Sequence, residues 1–260
     1  MDEEIASLLQ NITGKEHIKL VSRGNKAIQY ALRIAKKLGK KKLFIQDQGG
    51  WITYKQFGTE LKFDVTLVET DYGLVDAQKL SVDAESVLLI NSLTGYFAEQ
   101  DMDKIYNACF NAGCLVINDI SGSISTEMGK IGDILVCSFG SDKPLNYGKG
   151  GLIAVENKEW FSLAQILEED FGKDFEQKLL DLEERLTLLR NVTQKIKKDL
   201  GHFDIVHKNK GGINVVIRYG SEDEKQKLID YSKKNNYEYT ECPRSIRVTC
   251  DAISIEVKRL

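Results

Sequence analysis

The chain has 260 residues, with 36 lysines and arginines against 39 aspartates and glutamates and a net charge of −3. That balance offers no general attraction to nucleic acid or an anionic membrane, and no apolar run approaches the roughly 18–20 residues that span a bilayer. A hydrophobic content of 42% is enough to bury a substantial core divided into a large and a small lobe.

In chain order, a short strand over 17–21 leads into an amphipathic helix over 25–38, whose end carries the basic cluster Lys36-Lys37 and Lys40-Lys41-Lys42. Strands follow over 42–46, 65–69, 86–91, 114–118, 134–138 and 152–155, several too apolar for burial on one face alone, with helices over 51–61 and 102–112 between them. Alternation of this kind predicts an α/β fold: a large domain with a mostly parallel sheet flanked by helices. Beyond Lys158, Phe175, Leu179, Leu182, Leu186, Leu189, Val192, Ile196 and Leu200 repeat at three- and four-residue steps and predict a long helical region with one apolar face. A strand over 213–219, a helix over 222–235 and short strands over 237–240 and 245–249 complete a small α+β C-terminal lobe. The expected division is 1–157 for the large domain, 158–200 for the linking helices and 201–260 for the small lobe.

The five cysteines are odd in number and form no CxxC pair, so neither a disulfide framework nor a metal site is expected. The acidic start Asp2-Glu3-Glu4 is unlike a signal peptide, and a soluble cytoplasmic protein is expected.

The segment from Gly132-Asp133-Ile134 through Ser138 to Lys143, followed by Gly148, Gly150 and Gly151, carries the chemistry. A buried strand delivers a serine and then a lysine onto a polar loop, while the preceding strand ends in Asn118-Asp119. Those groups suit pyridoxal 5'-phosphate: Lys143 for an imine with its aldehyde, Asp119 for the pyridinium nitrogen and Ser138 for the phosphate. Gly24, Asn25 and Lys26 open a helix, where free N–H groups can bind the same phosphate. Trp51, after the glycine-bearing loop 47–50, can lie on the pyridine ring or pack at a helix start. The segment 91–96 ends a strand on the same sheet edge and adds polar candidates. Arg247, inside a short apolar stretch, needs an anion, either a substrate α-carboxylate or a structural ion-pair partner. Neither a Walker loop nor a dinucleotide fingerprint is present.

These residues resemble fold-type I pyridoxal phosphate enzymes, most closely the DegT/DnrJ/EryC1/StrS aminotransferases. The similarity runs from Gly132-Asp133-Ile134 to Lys143 and the Gly148-x-Gly150-Gly151 turn, and includes Gly24-Asn25, Trp51, Gly95 and Asp101-Met102-Asp103. It implies that Lys143 is the Schiff-base lysine, Asp119 the pyridinium partner, Ser138 a phosphate ligand and Trp51 the stacking aromatic. It also implies a homodimer with shared active sites, acting on a small-molecule amino donor and a keto or carbonyl acceptor. Gly122 stands where the family usually carries glutamine or histidine. The chain is shorter than the family's usual members, chiefly in the C-terminal lobe, which weighs against a nucleotide-sugar substrate. The competing readings are a desulfurase-like lyase with Cys242 as its thiol, and a protein that binds the cofactor without turnover.

Overall fold

The computed structural model describes residues 2–260. Helix α1 (Glu3–Thr13) precedes β1 (His17–Val21), α2 (Gly24–Lys37), β2 (Lys42–Gln46), α3 (Thr53–Glu60), β3 (Asp64–Val68) and β4 (Ser86–Asn91). A small hairpin, β5 (Leu93–Thr94) and β6 (Ala98–Glu99), leads to α4 (Met102–Asn111), β7 (Leu115–Asp119), β8 (Ile134–Ser138) and β9 (Gly151–Val155). Then come α5 (Lys173–Leu180), α6 (Leu182–Asp199), β10 (Asp204–Ile205), β11 (Val215–Arg218), α7 (Glu222–Lys234), β12 (Tyr239–Cys242) and β13 (Ala252–Ile255).

The large sheet has the order β1-β9-β8-β7-β4-β2-β3. Only β9 runs against its neighbours in that sheet. Every residue of β4, β7 and β9 is buried, because helices cover both faces, and the strands are apolar apart from Ser86, Asn91, Asn118 and Asp119 near their ends. On one face α2 packs Ala27, Ile28, Ala31, Ile34 and Ala35 against the sheet, spaced at helical steps. On the other, Ile5 and Leu9 of α1 and Phe175 and Leu179 of α5 meet Leu20, Leu135 and Cys137.

The small lobe is an antiparallel sheet of order β10-β11-β13-β12, with its own apolar core against α6 and α7. The long helical region expected beyond Lys158 is two helices, which meet at Asp181. Its apolar stripe survives the break: Leu182 and Leu186 join the large-lobe core, whereas Leu189 and Ile196 join the small-lobe core.

The strand expected over 245–249 is not formed. Arg244 and Arg247 close a turn there, with Arg247 N–H donating to Arg244 O at 2.8 Å and Arg244 N–H to Val248 O at 2.8 Å. The ladder position beside β11 and β12 belongs instead to β13, whose four residues are all buried. Among the described residues no helix is long and apolar enough to cross a membrane.

Candidate active site

Strands β4, β7 and β8 run in parallel with Asn91 opposite Asp119 and Asp119 opposite Val136, so their carboxyl ends open on one edge. A cleft lies there, where ligands of open α/β sheets collect. Gly24, Asn25, Trp51, Asp119, Ser138 and Lys143 all line it.

At one end of the cleft α2 begins without a side-chain cap, as do α3, α5 and α6, whereas Asp2, Asp101 and Ser221 cap α1, α4 and α7. An uncapped helix start leaves N–H groups and a positive dipole end for an anion. The close approach of α2 to β8 requires glycine: a Cβ on Gly24 would stand 2.4 Å from the Ser138 Cβ. Asn25 Oδ1 accepts from Trp51 Nε1 at 2.9 Å, which fixes the indole over the cleft mouth. Lys26 is not brought there. Its side chain is exposed and its Nζ reaches Gln29 Oε1 at 3.3 Å, because one residue further along a helix turns the side chain to another face.

At the other end the buried Asp119 accepts from two donors: the Tyr54 hydroxyl at 2.5 Å on Oδ2 and the Ser121 N–H at 3.0 Å on Oδ1. Burial first, and the Asp119 charge second, push the Tyr54 hydroxyl well above a tyrosine's ordinary pKa. Tyr54 therefore stays a donor, and Asp119 is held in place as the acceptor. Ser121 Oγ also accepts from the Ser138 N–H at 2.9 Å, joining the carboxylate end of the cleft to the serine end.

Between them stands Lys143, on the loop after β8. Its Nζ donates to the Tyr96 hydroxyl at 2.7 Å and lies 4.9 Å from the Trp51 ring centroid. Burial acts to lower its pKa, but Tyr96 and Asp119 outweigh burial and the opposing Arg247, and hold the ammonium above the ordinary lysine value. The loop after β2 roofs the cleft through Gly49 N–H to Ser245 O at 2.7 Å, and Thr249 N–H to Gln48 Oε1 at 2.9 Å.

Arg247 also lines the cleft, but the anion it meets is Glu256. Nε and Nη2 bond the two carboxylate oxygens at 2.8 and 2.6 Å, and Nη1 donates to Ile246 O at 2.8 Å. The Glu256 ion pair occupies the side-on fork of the guanidinium. Cys242 is buried in an apolar cluster with Phe97, Val216 and Val248 and does not line the cleft. Burial pushes its thiol pKa up, the opposite of what a nucleophilic thiolate needs.

Tyr54, Ser121 and Glu256 bond residues of the cleft but do not stand out in the sequence. Tyr96 had a signal, since it closes the polar segment 91–96 at the end of β4. The partnership of Tyr54 with a residue 65 positions away had none.

The fold and the cleft together define a fold-type I enzyme. The sequence matches the DegT/DnrJ/EryC1/StrS aminotransferase family over residues 2–187 and the MJ1341 family C-terminal domain over 183–260. The chain belongs to the DegT/DnrJ/EryC1/StrS aminotransferase family, and is a pyridoxal 5'-phosphate-dependent aminotransferase that takes a small-molecule amino donor and acceptor. No curated protein matches the sequence.

Among solved structures, a DegT DnrJ EryC1 StrS aminotransferase from Brucella abortus is 14% identical at a TM-score of 0.77, over 98% of this chain and 85% of that one. The 3-amino-5-hydroxybenzoic acid (AHBA) synthase is 16% identical at 0.75, over 99% and 86%. A NifS-like protein is 14% identical at 0.69, over 97% and 80%. Likeness at these identities speaks for the fold.

The residues present fit pyridoxal 5'-phosphate. A fixed carboxylate stands at one end of the cleft, an amine in the middle, and at the other end an uncapped helix start held so close to β8 that a Cβ at position 24 would clash with Ser138.

Proposed function

We propose that Lys143 is the catalytic amine of this aminotransferase and that Asp119, Ser138, Gly24, Asn25 and Trp51 hold the cofactor around it. The observation that carries the reading is the convergence of Asp119, Lys143 and the uncapped start of α2 on one cleft. When bound, pyridoxal 5'-phosphate supplies an electron-withdrawing ring that stabilises charge developing on the carbon beside the transferred amino group.

Asp119, fixed by Tyr54 and Ser121, presents a carboxylate to a protonated ring nitrogen. The N–H groups of Gly24 and Asn25 and the Ser138 hydroxyl take the phosphate. Trp51, locked by Asn25, covers the ring and keeps water from the amine. Lys143 Nζ accepts the proton from the α-carbon of the amino donor and carries it within the site as a general base and then acid.

We further propose that the enzyme is a homodimer. Trp51 and Ile52, 37% and 66% exposed beside the cleft, support a second copy closing its mouth. A cytoplasmic location is supported by five free cysteines and no disulfide among the described residues. Units of 1–157, 158–200 and 201–260 are supported by the two sheets, which lie on either side of α5 and α6.

The test is borohydride reduction of the cofactor-loaded protein, followed by mass spectrometry of its peptides, beside Lys143→Ala. A permanent adduct on Lys143, absent from the variant, is expected. An adduct on another lysine would overturn the assignment, as would none on wild-type protein that still binds the cofactor. A donor screen read as keto-acid production then identifies the substrate pair.

A further inference from the structure

Tyr96 has no part in the roles above, yet it contacts more of the site's charge than any residue assigned there. Its ring is 6% exposed. Lys143 Nζ lies 5.1 Å from the ring centroid, Lys258 Nζ 5.0 Å and the Arg247 guanidinium carbon 5.4 Å. Three cations gathered on one aromatic ring repel one another, and the ring's negative faces offset part of that repulsion.

The backbone holds Tyr96 in place at some strain, with φ at +68°, a left-handed conformation that a tyrosine rarely adopts. Its carbonyl accepts from Ile213 N–H at 2.8 Å and from Asn214 N–H at 2.9 Å, so the small lobe enforces the conformation. The ring fits because residue 122 is glycine: a Cβ there would stand 3.0 Å from Tyr96 Cδ1, 3.1 Å from Cε1 and 3.2 Å from Leu93 Cβ. The position that departs from the resemblance noted above, Gly122, is thus the one that Tyr96 fills.

We propose that Tyr96 is the positioning residue for Lys143, its hydroxyl setting where the amine stands in the space that Gly122 leaves. The inference rests on Lys143 being the catalytic amine. The charged and titratable groups around Lys143 are Tyr96 after β5, Asp119 on β7, Cys137 on β8, Arg247 in the turn beside the cleft and Lys258 in the turn that follows β13. Burial and Arg247 favour the neutral amine, whereas Tyr96 and Asp119 favour the ammonium. Removal of the Tyr96 hydroxyl leaves burial opposed by Asp119 alone, so Lys143 should lose its proton at lower pH.

The experiment uses Tyr96→Phe, which keeps the ring and its cation contacts. Lys143 in the cofactor-free protein is labelled with acetic anhydride across pH and quantified by mass spectrometry, and capture of pyridoxal 5'-phosphate is followed by stopped-flow absorbance over the same range. In the variant the labelling midpoint should move down by about one pH unit, and capture at high pH should slow severalfold because the amine is no longer oriented. Gly122→Ala, which presses on the ring, should shift the labelling midpoint in the same direction and serves as the second variant should Tyr96→Phe not fold. A labelling midpoint unchanged in the variant that folds would overturn the proposal. Failure of wild-type protein to capture the cofactor on Lys143 would instead overturn the assignment of that lysine, while the labelling midpoints still decide the role of Tyr96.

Discussion

Gly24 shows how a single missing side chain can set an active site. The helix start can lie against β8 only without a Cβ, since one would stand 2.4 Å from the Ser138 Cβ and 2.9 Å from its Oγ. Gly24→Ala must therefore move α2 or the end of β8, and both carry the groups assigned to the phosphate. Affinity for pyridoxal 5'-phosphate should fall at least about tenfold, equivalent to roughly 1.4 kcal/mol, while thermal unfolding of the cofactor-free protein changes far less. A fluorescence titration of the variant checks this, and wild-type affinity would contradict it. That Gly24, Asp119, Ser138 and Lys143 come together at one cleft was legible in the sequence, because each sits at a fixed offset from an apolar strand or a helix start. Arg247 was legible only as a cation in need of an anion, because nothing local separates a substrate carboxylate from Glu256.

The turn after β13, Val257–Arg259, stitches the small lobe to the loop that carries Lys143. Lys258 Nζ donates to Asp142 O at 2.8 Å, and Arg185 of α6 bonds Pro144 O at 2.8 Å and Lys258 O at 3.4 Å. Glu256 is the anion at the centre, with Arg247 at 2.6 Å, Lys258 at 3.8 Å and the Asn214 amide at 2.9 Å. Glu256→Gln would leave the buried Arg247 guanidinium without its carboxylate and should cost about 3–5 kcal/mol, measured by urea unfolding at neutral pH. Burial alone would raise the Glu256 pKa, but Arg247 and Lys258 hold it down at about 2, against an ordinary 4.5. The folded state thus binds this proton more weakly than the unfolded one. The stabilisation is fully present above about pH 4.5 and is lost as pH falls toward 2. Lys258 carries a cost instead: burial lowers it to about 7 from 10.5, so its charge costs stability below 7, and that cost is relieved as pH rises from 7 to 10.5. The acid loss of stability should therefore be steeper in wild type than in Glu256→Gln, and parallel curves would contradict the role given to Glu256.

The lobes are joined along more than one seam. Helix α6 contributes Leu186 to one core and Leu189 to the other, and backbone bonds link Gly49 to Ser245 and Tyr96 to Ile213 and Asn214. Both tryptophans, Trp51 and Trp160, precede α5, whereas far-UV circular dichroism reports every helix and strand. The seams predict one cooperative transition, with fluorescence and circular dichroism coinciding in urea. A dichroism loss that runs ahead of the fluorescence would mean that the small lobe unfolds alone.

The sequence by itself determined the alternation of strands and helices and the order of glycine, carboxylate, serine and lysine along them, because both follow from apolar periodicity and from neighbours close in the chain. Its local alternation misled at 245–249, where a turn forms and β13 takes the place in the ladder. Only the tertiary structure decided the polar partnerships: Tyr54 with Asp119, Tyr96 with Lys143, and Glu256 with Arg247 and Lys258. A buried polar group must find its partner wherever folding removes both from water, and distance along the chain places no limit on where that is.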